Sequence, residues 1–156
     1  MTFFWALSSV KDHVAYLEDL YLVLHENHYG ESGSCKPVVC FRNAPALRRV
    51  FFNNPNRMPV SLTDFLPWVQ ITEYKADCDT DSWDFLHLMP NLLDLQLEGQ
   101  RFPFQRPKLE LELKKLRRLE VFRSNDVIQC LTLPALQDVT ICLENAELLA
   151  VTDLIK

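Results

Sequence analysis

The chain has 156 residues and a net charge of −5, and 48% of its residues belong to the hydrophobic class. This length fits a single domain, and the apolar content is ample for a core and argues against disorder. Acidic and basic residues are mixed along the chain, which gives no reason to expect the clustered Lys and Arg of a nucleic-acid surface. Three glycines are few for glycine-dependent phosphate loops.

The cysteines and the N-terminal segment bear on the cellular compartment. The five cysteines are odd in number and form no Cys-x-x-Cys pair, and the sequence contains no Asn-x-Ser/Thr acceptor. Reduced thiols in a cytoplasmic or nuclear protein are the simplest interpretation. The apolar start at residues 1–7 lacks a basic n-region, and no run approaches the roughly 18 apolar residues of a membrane span. We therefore expect no membrane partner.

A six-residue pattern, apolar-x-x-apolar-x-apolar, recurs along the chain and predicts six strands. Successive copies start 30, 24, 21, 24 and 20 residues apart, and most of these spacings lie within the roughly 20–29 residues of leucine-rich repeats. The fourth and sixth positions point to one side of an extended segment, whereas the first lies on the approach to the strand. One copy cannot bury this face, so neighbouring copies must stack. The predicted strands are residues 17–22, 47–52, 71–76, 92–97, 116–121 and 136–141.

The intervals between the copies contain turns and short helices. Proline directs the chain before a strand and cannot donate within it, so proline-containing turns are expected to lead into four copies. These turns lie at residues 44–46, 66–68, 89–91 and 133–135. Short helices are predicted at residues 61–66, 82–88 and 145–149, and Asp81 is the expected N-cap of the second.

Strand, turn, short helix and strand describe one right-handed coil of a solenoid. The predicted fold class is α/β, a leucine-rich-repeat-like solenoid with a parallel sheet of about six strands and with short helices or irregular segments on its convex side. Residues 1–156 are expected to form one such domain, with a loop at residues 25–40 and with truncation at both ends. The alternative is a compact α/β domain whose buried strands merely resemble one another.

Four segments resemble motifs of one protein family. Phe41–Val50 is similar to F-x-x-A-P-x-L-R-x-V, and Leu66–Thr72 is similar to L-P-W-x-Q-L-T. Met89–Leu92 resembles C-P-N-L, and Leu131–Leu136 resembles L-T-L-P-x-L. In order and spacing, from about residue 17 to the end, these segments resemble the repeat region of basidiomycete-type F-box proteins with irregular leucine-rich repeats.

The resemblance implies a division of labour. In that family an N-terminal F-box docks on the adaptor of a cullin ubiquitin ligase, and the repeats select the substrate. An F-box typically opens with Leu-Pro followed by an acidic residue, whereas the Leu-Pro pairs at 66–67 and 133–134 continue as Trp-Val-Gln and Ala-Leu-Gln. The F-box itself is not found, so the adaptor is an expected partner only if an F-box precedes this segment.

The predicted recognition surface is the outward face of the sheet. Positions three, five and seven of each copy point away from the core, onto the side that is concave in such solenoids. Third positions alternate in charge with two acids in the middle, so neighbouring strands about 4.8 Å apart can pair their own charges. Tyr21 beside Phe51 is either an aromatic anchor for a partner or cross-strand packing, and we hypothesise that both carry partner recognition with Arg49 and Arg118. The candidate partner-binding residues are Tyr21, Arg49, Phe51, Glu73, Lys75, Asp94, Arg118, Glu120 and Phe122.

Metal and catalytic motifs are incomplete. His25–Cys40 contains two histidines and two cysteines, but their spacing is loose for a zinc site. Asp77–Asp81 resembles the start of a calcium loop, yet Ser82 and Leu88 occupy the places of its glycine and glutamate. No Gly-x-Ser-x-Gly elbow is present. We expect no cofactor and no catalytic residues.

The leading hypothesis is therefore a protein–protein interaction scaffold, similar to the substrate-recognition repeats of an F-box ubiquitin-ligase subunit, whose protein partner the sequence does not identify. A truncated, non-ligase repeat fragment with a structural role or none is the second. A small hydrolase hidden in the α/β pattern is the third. Co-purification with the cullin adaptor separates the first two, and a compact globular sheet with a deep polar pocket would favour the third.

Overall fold

The computed structural model describes residues 13–23, 41–54, 66–78, 84–99, 110–123, 128 and 130–142. The predicted loop at 25–40 and the predicted helix at 145–149 lie outside these residues, as does the helix at 61–66 except for its last residue.

Within the described residues, six parallel strands form one sheet, and its strands follow one another in chain order. A separate pair of two-residue strands, β5 and β7, is also parallel. Each strand of the large sheet begins two residues after the start of its apolar hexad and ends one or two residues beyond it. The large sheet contains β1 (Asp19–Val23), β2 (Arg49–Asn54), β3 (Glu73–Cys78), β4 (Asp94–Glu98), β6 (Arg118–Phe122) and β8 (Asp138–Cys142). The pair consists of β5 (Leu111–Glu112) and β7 (Leu131–Thr132).

A hydrogen-bonded turn precedes every strand of the large sheet. The N–H at the first hexad position donates to the carbonyl three residues earlier, as Leu47 does to Ala44 at 3.2 Å. Pro45, Pro90 and Pro134 stand directly after the acceptor residue of such a turn. The fixed φ of proline suits this place, and its missing N–H is not needed there. The predicted role of proline as the lead into the strand thus has a geometric basis.

A second set of hydrogen bonds joins each turn to the next. The carbonyl of Arg48, one residue before β2, accepts N–H bonds from Thr72 at 2.9 Å and from Glu73 at 3.1 Å. The corresponding carbonyls of the other strands repeat the arrangement: Glu18, Thr72, Leu93 and Arg117 each receive two N–H groups from the following copy. Every strand is therefore aligned with its neighbour before the regular sheet pairing begins.

Side chains on the turns add a polar connection between copies. The amide of Gln70 donates to the carbonyls of Ala44 and Leu47. The Asn91 amide donates to the Val69 carbonyl at 2.7 Å and accepts a bond from Lys115 Nζ at 2.7 Å. Amide side chains on neighbouring turns thus bind backbone carbonyls of the preceding copy, which keeps those groups hydrogen-bonded.

The core is formed by the inward side of the large sheet. Leu95, Leu97, Leu119 and Val121, the fourth and sixth positions of the central strands β4 and β6, are fully buried. The hexad did not predict a further buried column, three residues before each first position. Its members, Val14, Ala44, Trp68, Met89, Leu113 and Leu133, are all at most 4% exposed. The buried pattern of one copy therefore extends over the turn as well as the strand.

The prediction that every fourth position is buried is wrong at one end of the sheet. Val139 on β8 is 43% exposed. Leu20 on β1, at the opposite edge, is half-buried. Both strands have a paired neighbour on one side only within the described residues. A side chain at such an edge loses the cover that a further copy provides to the central strands.

The helical segments next to the sheet are 3-10 helices. Trp68–Gln70 forms the turn before β3, and Asp84–Leu88 occupies the end of the predicted helix at 82–88. The expected N-cap, Asp81, lies outside the described residues. Trp68, Tyr74 and Phe85 pack with ring centroids 5.6–6.0 Å apart. This aromatic cluster joins the 3-10 helix before β4 to the core under β3.

We expect a buried valine and an edge valine, both at inward positions of neighbouring strands, to differ in their contribution to stability. Val121 and Val139 hold the inward positions of neighbouring strands, but Val121 is 0% and Val139 is 43% exposed. Val121→Ala should lower the free energy of unfolding by about 2 kcal/mol, because it removes two buried methyl groups and leaves a cavity.

Val139→Ala is the matched control and should cost less than about half as much, since part of the side chain already contacts solvent. Urea unfolding followed by circular dichroism measures both. Equal losses would contradict the described difference in packing between the central and terminal strands.

Candidate functional site

All nine candidate residues lie on five adjacent strands of the large sheet, from β1 to β4 and β6. They occupy positions three, five and seven of their copies, between the buried inward residues. The strands pair without offset, so equal positions of neighbouring copies are direct partners. We call the side that carries these positions on the six strands the outward face.

The third positions pair their charges across the strands. Arg49 binds Asp19 through both carboxylate oxygens, with Arg49 Nη2 2.6 Å from Asp19 Oδ2. Arg118 Nη1 lies 3.0 Å from Asp94 Oδ2. The hydrogen bonding that Arg49 donates to Asp19, together with the charge of that carboxylate, raises the pKa of Arg49 above its ordinary value. The alternation of charge in the sequence therefore produces two cross-strand ion pairs.

Each of these arginines is flanked by a second acid that it does not bond. Glu73 is the direct partner of Arg49 on the following strand, and Asp138 is the partner of Arg118. Both arginines bond to the acid of the preceding strand instead. Glu73 and Asp138 are exposed. The third positions therefore have an excess of negative charge.

The fifth positions place aromatic rings side by side. The rings of Tyr21 and Phe51 stack with centroids 4.2 Å apart and an interplanar angle of 9°. Lys75 Nζ lies 5.5 Å from the centroid of Phe51, within the range of a cation–π contact. Tyr21 remains 69% exposed. Cross-strand packing and an exposed aromatic surface are thus both present, although the sequence analysis treated them as alternatives.

The seventh positions bring two further acids together. Asn53 Nδ2 donates to Asp77 Oδ2 at 3.0 Å. Asp77 and Glu98 are direct partners on β3 and β4, and like charges directly opposite one another are unfavourable. Phe122, half-buried, follows Glu98 on the next strand. Asp77 and Glu98 are not among the nine candidate residues, although the hexad pattern places both acids at seventh positions of neighbouring copies.

A depression of about 340 Å³ lies over the first four strands. Asp19, Tyr21, Arg49, Phe51 and Lys75 are among the residues that line it. The ion pair and the aromatic stack thus border one hollow of the surface. Glu120 and Phe122 on β6 do not line it.

The structure brings together no metal-binding group in its described part. Among these residues, no three His, Cys, Asp or Glu side chains are arranged to hold a metal ion. His25–Cys40 lies outside them, and of Asp77–Asp81 only the first two residues are described. Within the described ranges, no helix has the length and apolar character needed to cross a membrane.

Comparison with known proteins finds no matching family model, no matching curated protein and no matching solved structure.

The surface ion pairs are expected to contribute little to folding. Asp94→Asn, Arg118→Gln and the double variant form a double-mutant cycle, whose coupling free energy in urea unfolding should be below about 1 kcal/mol, since both side chains contact solvent. A similar cycle on Glu112 and Lys114, an exposed pair 3.4 Å apart away from the outward face, is the control. A coupling above about 2 kcal/mol for the first pair alone would show that this contact has a structural role.

Proposed function

We propose that this chain is a protein-binding scaffold, a leucine-rich-repeat-like solenoid that recognises a protein partner with the outward, concave face of its sheet. The observation that carries the proposal is the stacked pair of Tyr21 and Phe51 on the parallel sheet, in which the Tyr21 ring is largely exposed. Large aromatic side chains are enriched among the residues that dominate protein interfaces.

The stacking of whole copies supports the solenoid. Leu111 pairs with Leu131 in the small sheet, and Arg118 pairs with Asp138 in the large one. The two residues of each pair are 20 positions apart in the sequence. The short strand before the turn and the long strand after it therefore repeat with the same spacing. A continuous coil that repeats after 20 residues accounts for both pairings, whereas independent strands would not need a common spacing.

The geometry of the face supports binding to a protein surface. Five neighbouring strands present ion pairs, an aromatic stack and free acids in registered columns. Arg49 is held by two bonds to Asp19, and Tyr21 by the ring of Phe51. Side chains that are already ordered lose less conformational entropy when they bind a partner.

The resemblance to F-box repeat regions supplies a cellular context for the proposal. All four resembling segments contain a hydrogen-bonded turn that leads into a strand of the large sheet, before β2, β3, β4 and β8. We therefore extend the proposal to substrate recognition within a ubiquitin-ligase subunit. Co-purification of the intact gene product with the cullin adaptor tests this extension. Failure to bind the adaptor favours a repeat protein outside the ligase.

Site-specific photocrosslinking tests the binding face. A photoreactive phenylalanine analogue at position 21 should form a defined adduct with a partner in cells of the source organism. The same analogue at Tyr16 is the control, because Tyr16 is 93% exposed but lies in the turn before β1. We expect the adduct to fall at least about tenfold when Phe51, Arg49 and Arg118 are replaced by alanine, since truncating interface anchors typically costs about 2 kcal/mol or more.

Adducts that form equally at positions 16 and 21, or that persist in the triple variant, would overturn the assignment of the outward face. Circular dichroism and the urea midpoint establish that the variant folds. The three replaced side chains lie on the surface of the sheet rather than in its core, so folding is expected to be retained.

A further inference from the structure

We infer that the partner segment bound by the outward face is basic, an extended stretch of protein with arginine and lysine side chains. The inference rests on the proposed function and assigns the chemical class of its partner. The decisive observation is the charge of the face in the register that the structure establishes.

The outward face carries most of the net charge of the chain. Its eighteen positions hold seven carboxylates and three cationic groups, which leaves −4 on the face out of −5 for the whole chain. The carboxylates are Asp19, Asp94, Glu73, Asp138, Glu120, Asp77 and Glu98. The cationic groups are Arg49, Arg118 and Lys75.

Each cationic group already contacts another side chain of the face, and the charge of Glu73 acts on Arg49 without a bond between them. Arg49 and Arg118 bond to Asp19 and Asp94, and Lys75 lies over the ring of Phe51. In the described part of the chain, Glu73, Glu98, Glu120 and Asp138 bond to no cation. A complementary partner must therefore bring positive charge, and complementary charge both steers association and excludes partners of like sign.

Two like-charged carboxylates lie opposite each other on β3 and β4, where a bound cation would reduce their repulsion. Asp77 and Glu98 are direct partners on strands about 4.8 Å apart, and the Asn53 amide is the hydrogen bond donor found there. Glu120 stands on the following strand, two residues from the partner of Glu98. One bound guanidinium or ammonium group would reduce the repulsion within this acidic group, a gain that a neutral partner cannot provide.

The aromatic end of the face suits arginine in particular. Phe51 covers one face of the Tyr21 ring, and the exposure of 69% leaves the opposite face open to solvent. A planar guanidinium stacks on such a surface, with the ring of Tyr21 as its platform. Nucleic acid lacks such groups, and its phosphates would be repelled by this face.

Peptide probes of opposite charge test the inference. Fluorescein-labelled octa-arginine and octa-glutamate are titrated with the full chain in about 50 mM salt, and fluorescence anisotropy gives the dissociation constants. We expect octa-arginine to bind and octa-glutamate not to bind. Binding of octa-arginine should weaken markedly at about 0.5 M salt, because the contacts are exposed and screened.

Charge-neutralising variants locate the binding. Asp77→Asn with Glu98→Gln should weaken octa-arginine binding about threefold to tenfold, since each exposed charge contact contributes modestly. Glu110→Gln with Glu112→Gln removes the same charge away from the outward face, on and next to β5, and should have little effect. Glu98→Gln with Glu120→Gln repeats the test without changing the acceptor of the Asn53 amide.

The outcomes separate this inference from the proposal on which it rests. The inference of a basic partner would be overturned if the β5 control weakened octa-arginine binding equally. It would also be overturned if octa-glutamate bound preferentially and lost this binding when Arg49 and Arg118 were replaced by glutamine. If neither peptide binds while position 21 still crosslinks a protein, the outward face is a binding surface for a partner of another chemistry. If position 21 also fails to crosslink, the proposed function itself is wrong.

Discussion

The arrangement of this protein depends on one shared hydrogen bond acceptor before each strand. Parallel neighbours cannot be aligned by a tight hairpin, so their register must come from another contact. Here a single carbonyl, such as that of Arg48, accepts the N–H groups of two consecutive residues of the next copy. A slip of one residue would break both bonds and would turn the apolar positions of the strand towards solvent.

The same register explains how the core and the outward face coexist. Because side chains alternate along a strand, the alignment that stacks Leu95 on Leu119 also places Asp94 beside Arg118. The apolar partners lose contact with water, and their burial stabilises the sheet. The charged partners remain at the surface, where their net contribution to stability is small. The outward face can therefore change its chemistry without loss of the fold, which suits a recognition surface.

The acids of the outward face are a consequence of this freedom. Asp77 opposite Glu98 is an unfavourable pair for the isolated chain. Exposure to water and the Asn53 amide reduce the repulsion, but neither supplies positive charge. A basic partner would supply it. The structure thus accommodates a small local conflict at the place where we propose that binding occurs.

The local chemistry of the sequence determined the number, order and direction of the strands in the large sheet. Alternating apolar residues identify an inward side, and proline before a strand identifies a turn, because both effects act over a few neighbouring residues. The pairing of Asp19 with Arg49 was also predictable, since equal positions of adjacent copies meet. The sequence therefore sufficed to predict the strands of the large sheet and their order, while the α/β solenoid is a proposal.

Only the tertiary structure decided which of these positions are covered and what they touch. Val139 has the same place in its copy as Leu119, yet it is partly exposed because its strand ends the described sheet. Tyr21 and Phe51 stack because the register brings their rings together, and Asp77 meets Glu98 for the same reason. Burial and contact are properties of neighbours that are distant in the sequence, so a pattern read within one copy could not determine them.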